Sequence, residues 1–280
     1  MFSTETLVKN IVNKVRGVHL VATDSEPVDT MTDMDAVVAP SRRQRQREAT
    51  VEEVLTVASA LVARDGAATL SLREIAREMG LTPSALYRYY ASRDAILTAL
   101  TMRGFADLGA AVEAAAATAP PQQFCPAMLA ACHAFRTWAL EHPHEYGLMF
   151  GTPVPGFTID TEQVTDAVMR TGMVLIAQLV GGVQAGLVTV PDEITIPADL
   201  RPGLQKFVEH KSNGILTIAE AAVAMQFWVL LLGLVSSEVY CHLPEQLILS
   251  GPVFFDHTVR RALVAIGVDA DTVAGARLPA

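Results

Sequence analysis

Between residues 69 and 93 the chain reads TLSLREIAREMGLTPSALYRYYASR, and its apolar positions fall at helical spacing. Leu72, Ile75, Ala76 and Met79 recur at intervals of three and four and mark the buried face of one short helix. Ser71 and Glu74 have the spacing of a capping box. In it the serine hydroxyl accepts from the Glu74 N–H, and the carboxylate reaches back to the N–H of Ser71. Gly80 suits the left-handed conformation that ends a helix. Thr82 can cap a second helix, and Pro83 fits its first position, where no N–H is needed. In that second helix Ala85 and Leu86 can face inward, while Thr82, Ser84, Tyr87, Arg88 and Tyr89 form a polar side. Two short helices joined by a glycine turn make a helix-turn-helix, whose second helix meets base edges in the major groove. A generic helical hairpin with one polar face would show the same local pattern.

The remaining periodicity is helical as well, and the fold class it predicts is all-α. Helices are expected over 47–65, from the Ser92 cap to 118, over 126–141, after Pro143 to 150, over 160–185, over 217–240 and over 245–267. Pro120-Pro121 stops the second of these. Residues 151–156 read as a loop. Residues 187–203, with Pro191, Pro197, Pro202 and Gly203, read as an extended linker. The small, polar tail 269–280 reads as frayed. The helix 218–239 is apolar on nearly every side. Glu220 and Gln226 interrupt it, which leaves too short a run for the ~20 residues of a membrane span. A helix apolar all round must be covered all round. A second copy of the chain can supply the cover, forming a four-helix bundle across a two-fold axis. Trp228, Leu231, Val235 and Val239, with Val259 and Leu263 from the last helix, are the expected interface.

Charge turns the hairpin into a DNA-reading element. The chain is acidic overall, at −9, yet residues 42–103 carry a net +3. Arg42, Arg43, Arg45 and Arg47 open that segment without an acid among them. Phosphate contacts need such a local basic patch, to which total charge is a poor guide. Arg42, Arg43, Arg45, Tyr87, Tyr89 and Arg93 are therefore expected on phosphates, and Thr82, Ser84 and Arg88 near base edges. Ser71, Arg73 and Pro83 complete the DNA-facing set.

The pattern from Arg47 to Leu100 resembles the DNA-binding head of the tetracycline-repressor (TetR) family of bacterial transcription regulators. The resemblance rests on 61–66 (LVARDG), 69–76 (TLSLREIA), 80–90 (GLTPSALYRYY) and 92–97 (SRDAIL), about a fifth of the chain. The family's Leu-Tyr-x-His-Phe ending has Tyr89 and Tyr90 here, and its usual lysine is Arg93. Two segments of the body resemble the TetR subgroup whose C-terminal domain is named WHG. One is 135–151, followed by Pro153 and Pro155. The other comprises Trp228, Gly233, Ser236 and Glu238, with Leu232 and Cys241 where the subgroup has histidine and glycine. The resemblance implies a cytoplasmic, homodimeric repressor that binds a palindromic operator in double-stranded DNA and is released by a small apolar or amphipathic effector. It further implies no catalytic role. The expected division is a disordered arm 1–41, a DNA-binding domain 42–92, a ligand-binding and dimerisation domain 93–268 and a flexible tail 269–280.

Other chemistry is thin. Cys125 and Cys132 stand seven apart and can share a helix face, so a redox pair competes with plain buried thiols. His142 and His144 beside Glu145, and Cys132-His133, match no strong zinc spacing, and neither metal nor cofactor is expected. Candidate walls of an effector pocket are Trp138, Met149, Phe150, Met169, Met173 and Phe227, with His133 and Gln178 as polar handles. The arm is acidic between Asp24 and Asp35. It can hold a short helix at 8–21 and has no signal-peptide pattern, and Met31 or Met34 is an equally good start. The rival reading is a helical small-molecule-binding or catalytic protein whose head only mediates assembly.

Overall fold

A computed structural model of the chain describes residues 41–120, 123–151, 153–158, 161–190, 196–211 and 216–278, with the side chains of 161–171 and 210–211 excepted. The arm and its short helix at 8–21 lie outside the described residues. The chain divides into two compact units, one ending at Leu100 and one beginning at Thr101. No strand occurs among the described residues, which hold one isolated bridge between Val188 and Val268.

Ser41 starts the first helix, its hydroxyl accepting from the Gln44 N–H at 3.2 Å. Helix α1 therefore runs Arg42–Asp65 and takes in the whole arginine run, which the apolar periodicity left outside the helix. A 3-10 turn, Ala67–Thr69, leads to α2, Leu72–Glu78, and α3, Pro83–Leu86. The Ser71 hydroxyl accepts from the Glu74 N–H at 3.3 Å. The Glu74 carboxylate does not reach back. It accepts from Arg64 of α1 at 2.9 Å and from Arg77 at 3.4 Å, so half of the expected box forms and its acid ties two helices together. Gly80 has the expected positive φ of 65°. The Thr82 hydroxyl accepts from the Ala85 N–H at 3.3 Å, and Leu86 is fully buried beneath it. Helix α4, Arg93–Thr118, contributes its residues up to Leu100 to this unit, so the boundary lies beyond the residue 92 expected from the sequence.

The second unit is a helical bundle around α5, Phe124–Glu141, which buries Met128, Leu129, Cys132 and Phe135. Packed on α5 are α6, Pro143–Phe150; α7, Thr161–Gln184; α9, Ile218–Val239; and α11, Gly251–Ala265. Helix α9 begins with a complete capping box, Thr217 with Glu220. Both α4 and α9 are long and apolar enough to cross a membrane by length and composition. In this fold α9 packs against α5, α7 and α11 of its own bundle.

In the second unit the structure corrects three expectations about its elements. Part of the linker is helix α8, Arg201–Lys211, packed on α9 through Leu204 and Val208. Pro202 sits in its first turn, where the missing N–H costs nothing. The last helix is broken into α10, Glu245–Ile248, and α11, because Pro252 restarts the chain. The tail is docked. Asp269 caps α12, Ala270–Gly275, Val273 is buried, and the Arg260 guanidinium donates to the carbonyls of Val273 at 2.7 Å and Ala276 at 3.0 Å. Gly267, at φ 99°, lets the tail leave α11 beside Thr189, whose N–H donates to its carbonyl at 3.0 Å; a Cβ there would collide with the Thr189 backbone.

Candidate nucleic-acid interface and ligand cavity

In the first unit α3 is pinned from below by Leu86 and shows solvent its polar side. Thr82, Pro83, Ser84, Tyr87 and Arg88 are exposed, Tyr87 by 55%. The hydroxyls of Thr82 and Ser84 lie 3.1 Å apart and share one hydrogen bond. Tyr89 is half-buried, and the Arg47 guanidinium lies 5.8 Å from its ring centroid, which joins the arginine run to the end of α3. Arg42, Arg43 and Arg45 are exposed on the first turns of α1. No acid stands in that turn. Cations at a helix N-terminus oppose the helix dipole, so this placement is unfavourable until an anion meets it. Ser71 and Arg73 are exposed at the start of α2, the Ser71 hydroxyl already accepting its cap hydrogen bond.

Arg93 does not face out as a phosphate ligand should. Its guanidinium donates to the carbonyls of Ala67 at 2.9 Å and Ala68 at 3.3 Å and pairs with Asp94 at 3.8 Å. It braces the turn between α1 and α2. The family-like arginine was legible, but its direction depends on a turn 25 residues away.

In the second unit a cavity of about 140 Å³ opens between helices. Its walls are Met128 of α5; Gly172, Leu175, Ile176 and Leu179 of α7; Phe207 of α8; Ala224, Met225, Phe227 and Trp228 of α9; and Ile266. Of the residues expected there, Phe227 alone is among these described walls. Trp228, expected at the dimer face, is a wall instead, and its ring meets Phe135 edge-on at 5.8 Å. Met173 and Gln178 lie on α7 away from the lining, and the Met169 side chain is outside the described residues. Met149 packs over Gly104, and Phe150 fills an aromatic cluster with Phe105, Phe135 and Tyr146. Trp138 stacks on His142 at 4.8 Å.

His133 is no handle for a ligand. Its Nε2–H donates to Asp256 at 3.1 Å, and Asp256 also accepts from Arg260 at 2.6 Å, so the chain of polar contacts ends on the tail carbonyls. Partial burial disfavours the Asp256 charge, but these hydrogen bonds outweigh it and hold the carboxyl below its ordinary range. Cys125 and Cys132 are free and buried, and burial pushes both thiols up, away from the reactive thiolate.

The two body segments noted in the sequence are each other's partners. Arg136 of the first pairs with Glu238 of the second, Nε donating at 2.9 Å to both oxygens and Nη2 at 2.6 Å. The Tyr146 hydroxyl bonds Ser236 at 2.8 Å; burial raises this phenol to about 12, against a partly opposing effect of the serine. Gly151 leaves room for the Tyr240 hydroxyl, which would stand 2.6 Å from a Cβ there. Arg136, Tyr146, Gly151, Ser236 and Glu238 maintain the packing of α5, α6 and α9, while Trp228 of the second segment borders the cavity.

The residues expected at the dimer face are mostly spent within one chain. Leu231, Val235, Val259 and Leu263 are fully buried within one chain, and Val239 packs against the same core. The apolar side that α9 leaves open carries Val229 and Leu230, and on α11 it carries Val253 and Val264.

Comparison with known proteins bears on both units. The family model described as bacterial regulatory proteins, tetR family, matches residues 54–100. That described as the tetracyclin repressor-like C-terminal domain matches residues 128–262. The HTH-type transcriptional regulator Rv1816 of Mycobacterium tuberculosis (strain ATCC 25618 / H37Rv) is 27% identical over 228 residues, 80% of this chain and 95% of that protein. The regulator Mb1846 of Mycobacterium bovis matches to the same extent, 27% over 228 residues. Among solved structures, the putative regulatory protein SCO4313 is 26% identical, with a TM-score of 0.64 over 80% of this chain and 100% of that one. A tetR-family regulatory protein from Rhodococcus RHA1, at 18% identity, has the same fold, with a TM-score of 0.53 over 78% of this chain and 97% of its own.

Proposed function

Because the chain belongs to the TetR family of bacterial transcription regulators, we propose that it is a cytoplasmic, homodimeric repressor that reads a palindromic operator and is released when a small apolar molecule enters the cavity of its second unit. The observation that carries the DNA reading is the exposed polar side of α3 beside the arginines of α1, with no acid in the first turn of that helix. Thr82, Ser84 and Arg88 are assigned to base edges. Tyr87, Tyr89, Arg42, Arg43 and Arg45 are assigned to phosphates. Arg93 is withdrawn from the set, because its guanidinium is held by the turn before α2. Ligand binding would favour a spacing of the two heads that no longer matches successive major grooves. We also assign the body to the WHG subgroup, on the segments joined by Arg136–Glu238 and Tyr146–Ser236.

The dimer is assigned to the open sides of α9 and α11. Gly233 supports this placement. It lies one turn beyond Val229 and Leu230 and is exposed, and, its own helix backbone and chain neighbours aside, no atom of the described residues comes within 4 Å of where its Cβ would stand. A glycine inside a helix costs about 0.5–1 kcal/mol against alanine. No contact among the described residues accounts for it, whereas close approach of a second helix would.

Footprinting of the DNA beside the gene tests the function, since a protein whose head serves only assembly protects no sequence. Arg88→Ala should weaken operator binding by about 1–3 kcal/mol and relax preference at a single position if it reads a guanine. Unchanged affinity and preference would remove Arg88 from the base-reading set. Replacing Arg42, Arg43 and Arg45 together by alanine should weaken binding to all sequences alike. It should lower the slope of log K against log salt by about 0.9 for each phosphate that is no longer neutralised. An unaltered slope would show that α1 starts away from the DNA.

A further inference from the structure

We propose that the cavity of the second unit takes an uncharged, hydrocarbon-like effector of about single-ring size that carries no hydrogen-bond donor. This rests on the regulatory reading above and names the chemistry of the molecule that acts there. Among the described walls there is no carboxylate, ammonium, guanidinium, hydroxyl or amide side chain. The single N–H on a bordering side chain is the Trp228 indole, which can serve an ether or ketone oxygen and can accept nothing. The backbone of α7 and α9 is engaged in helix hydrogen bonds. Among the described walls a ligand hydroxyl would find only the weak thioether acceptors of Met128 and Met225, and a carboxylate would find no counter-charge, which is far less favourable.

The size follows from the volume. A cavity of about 140 Å³ is close to the ~150 Å³ apolar cavity that stays dry and admits benzene. Phe207, Phe227 and Trp228 offer ring faces and edges, and Met128 and Met225 can reshape around a ring.

A second observation points to the same space. Gly172 lies inside α7, is buried and borders the cavity, yet, its own helix backbone and chain neighbours aside, no atom of the described residues lies within 4 Å of where its Cβ would be. A buried mid-helix glycine is unfavourable for the helix, and among the described residues it relieves no clash. It keeps open the volume a side chain would fill.

The experiment uses the full chain and calorimetric titration with toluene, phenol and benzoate. Toluene should bind saturably, raise the unfolding temperature and bind at least about tenfold more tightly than phenol, with benzoate weaker still. Gly172→Leu should unfold at the same or a higher temperature while its toluene affinity falls by about tenfold or more. Should that variant not fold, Ala224→Met fills the same cavity from α9 and should give the same loss. Phenol or benzoate binding as tightly as toluene, no saturable toluene binding, or unchanged affinity in a folded filled variant overturns the proposal. Operator binding of the unliganded protein is measured separately, so failure of the DNA reading shows there alone. Release of operator by saturating toluene from the wild type, and not from the filled variant, supports the effector role. Saturation without release overturns it.

Discussion

Replacing Val229 by glutamate should leave a folded monomer that no longer holds its operator. The valine is 64% exposed in the single chain, so the isolated subunit loses little by the change. At the assigned interface the same carboxylate would be buried opposite its symmetry mate without a counter-charge, which costs several kcal/mol per site. A two-fold interface meets each substitution twice. Losing the dimer also removes the gain from engaging two half-sites at once, so operator affinity should fall by about 100-fold or more. Sedimentation at micromolar concentration and a gel shift are the measurements, with helical circular dichroism as the check on folding. Val253→Glu, on the open side of α11 at 73% exposure, should behave alike. If both variants remain dimers that shift the operator, the interface lies on another face. Leu231→Glu is no test of the dimer, because Leu231 is fully buried in its own subunit and the change would unfold it.

Arg136→Met should cost about 3–5 kcal/mol of stability, the usual result of leaving one member of a buried ion pair alone. The side chains of Arg136 and Glu238 are only 12% and 7% exposed, so solvent cannot take over the orphaned carboxylate. The arginine is held on all sides. Glu238 takes its N–H groups, the Phe255 ring lies 5.5 Å from its guanidinium carbon, and the absent Cβ of Gly251 would stand 3.1 Å from Nη2. Three helices, α5, α9 and α11, therefore meet at this pair. The double variant Arg136→Met with Glu238→Leu should recover much of the loss, since an apolar pair of similar volume often matches a buried ion pair. Urea unfolding of the two single variants and the double gives the coupling. A single variant within about 1 kcal/mol of wild type would refute the assignment of this pair as the joint of the bundle.

The helix-turn-helix was legible because everything that makes it is local. Ser71 and Thr82 cap within three residues, Gly80 ends α2 at a positive φ, and Leu72, Ile75, Ala76 and Leu86 repeat at helical spacing. The exposed side of α3 then follows from which residues are left over. Arg93 shows the limit of this reasoning: its charge is visible in the chain, but its direction is set by the carbonyls of Ala67 and Ala68.

In the body, sequence periodicity determined that the elements are helices and where most of them start and stop. It could not determine which way they turn. A helix such as α9, apolar on almost every side, has no preferred face in its own pattern, so Leu231 and Val235 looked as eligible for a partner as Val229 and Leu230. Packing against α5 and α11 made the choice, because burial depends on what lies opposite. The same holds for Trp228, which became a cavity wall, and for α8, whose Pro202 and Gly203 hid a helix that is held by its contact with α9. It holds again for the tail, fastened by one buried valine and an arginine from α11. Caps, turns and apolar spacing are properties of neighbours in the chain and can be read there. The cavity, the Arg136–Glu238 joint and the open face are made by residues tens of positions apart, and only the folded arrangement brings them together.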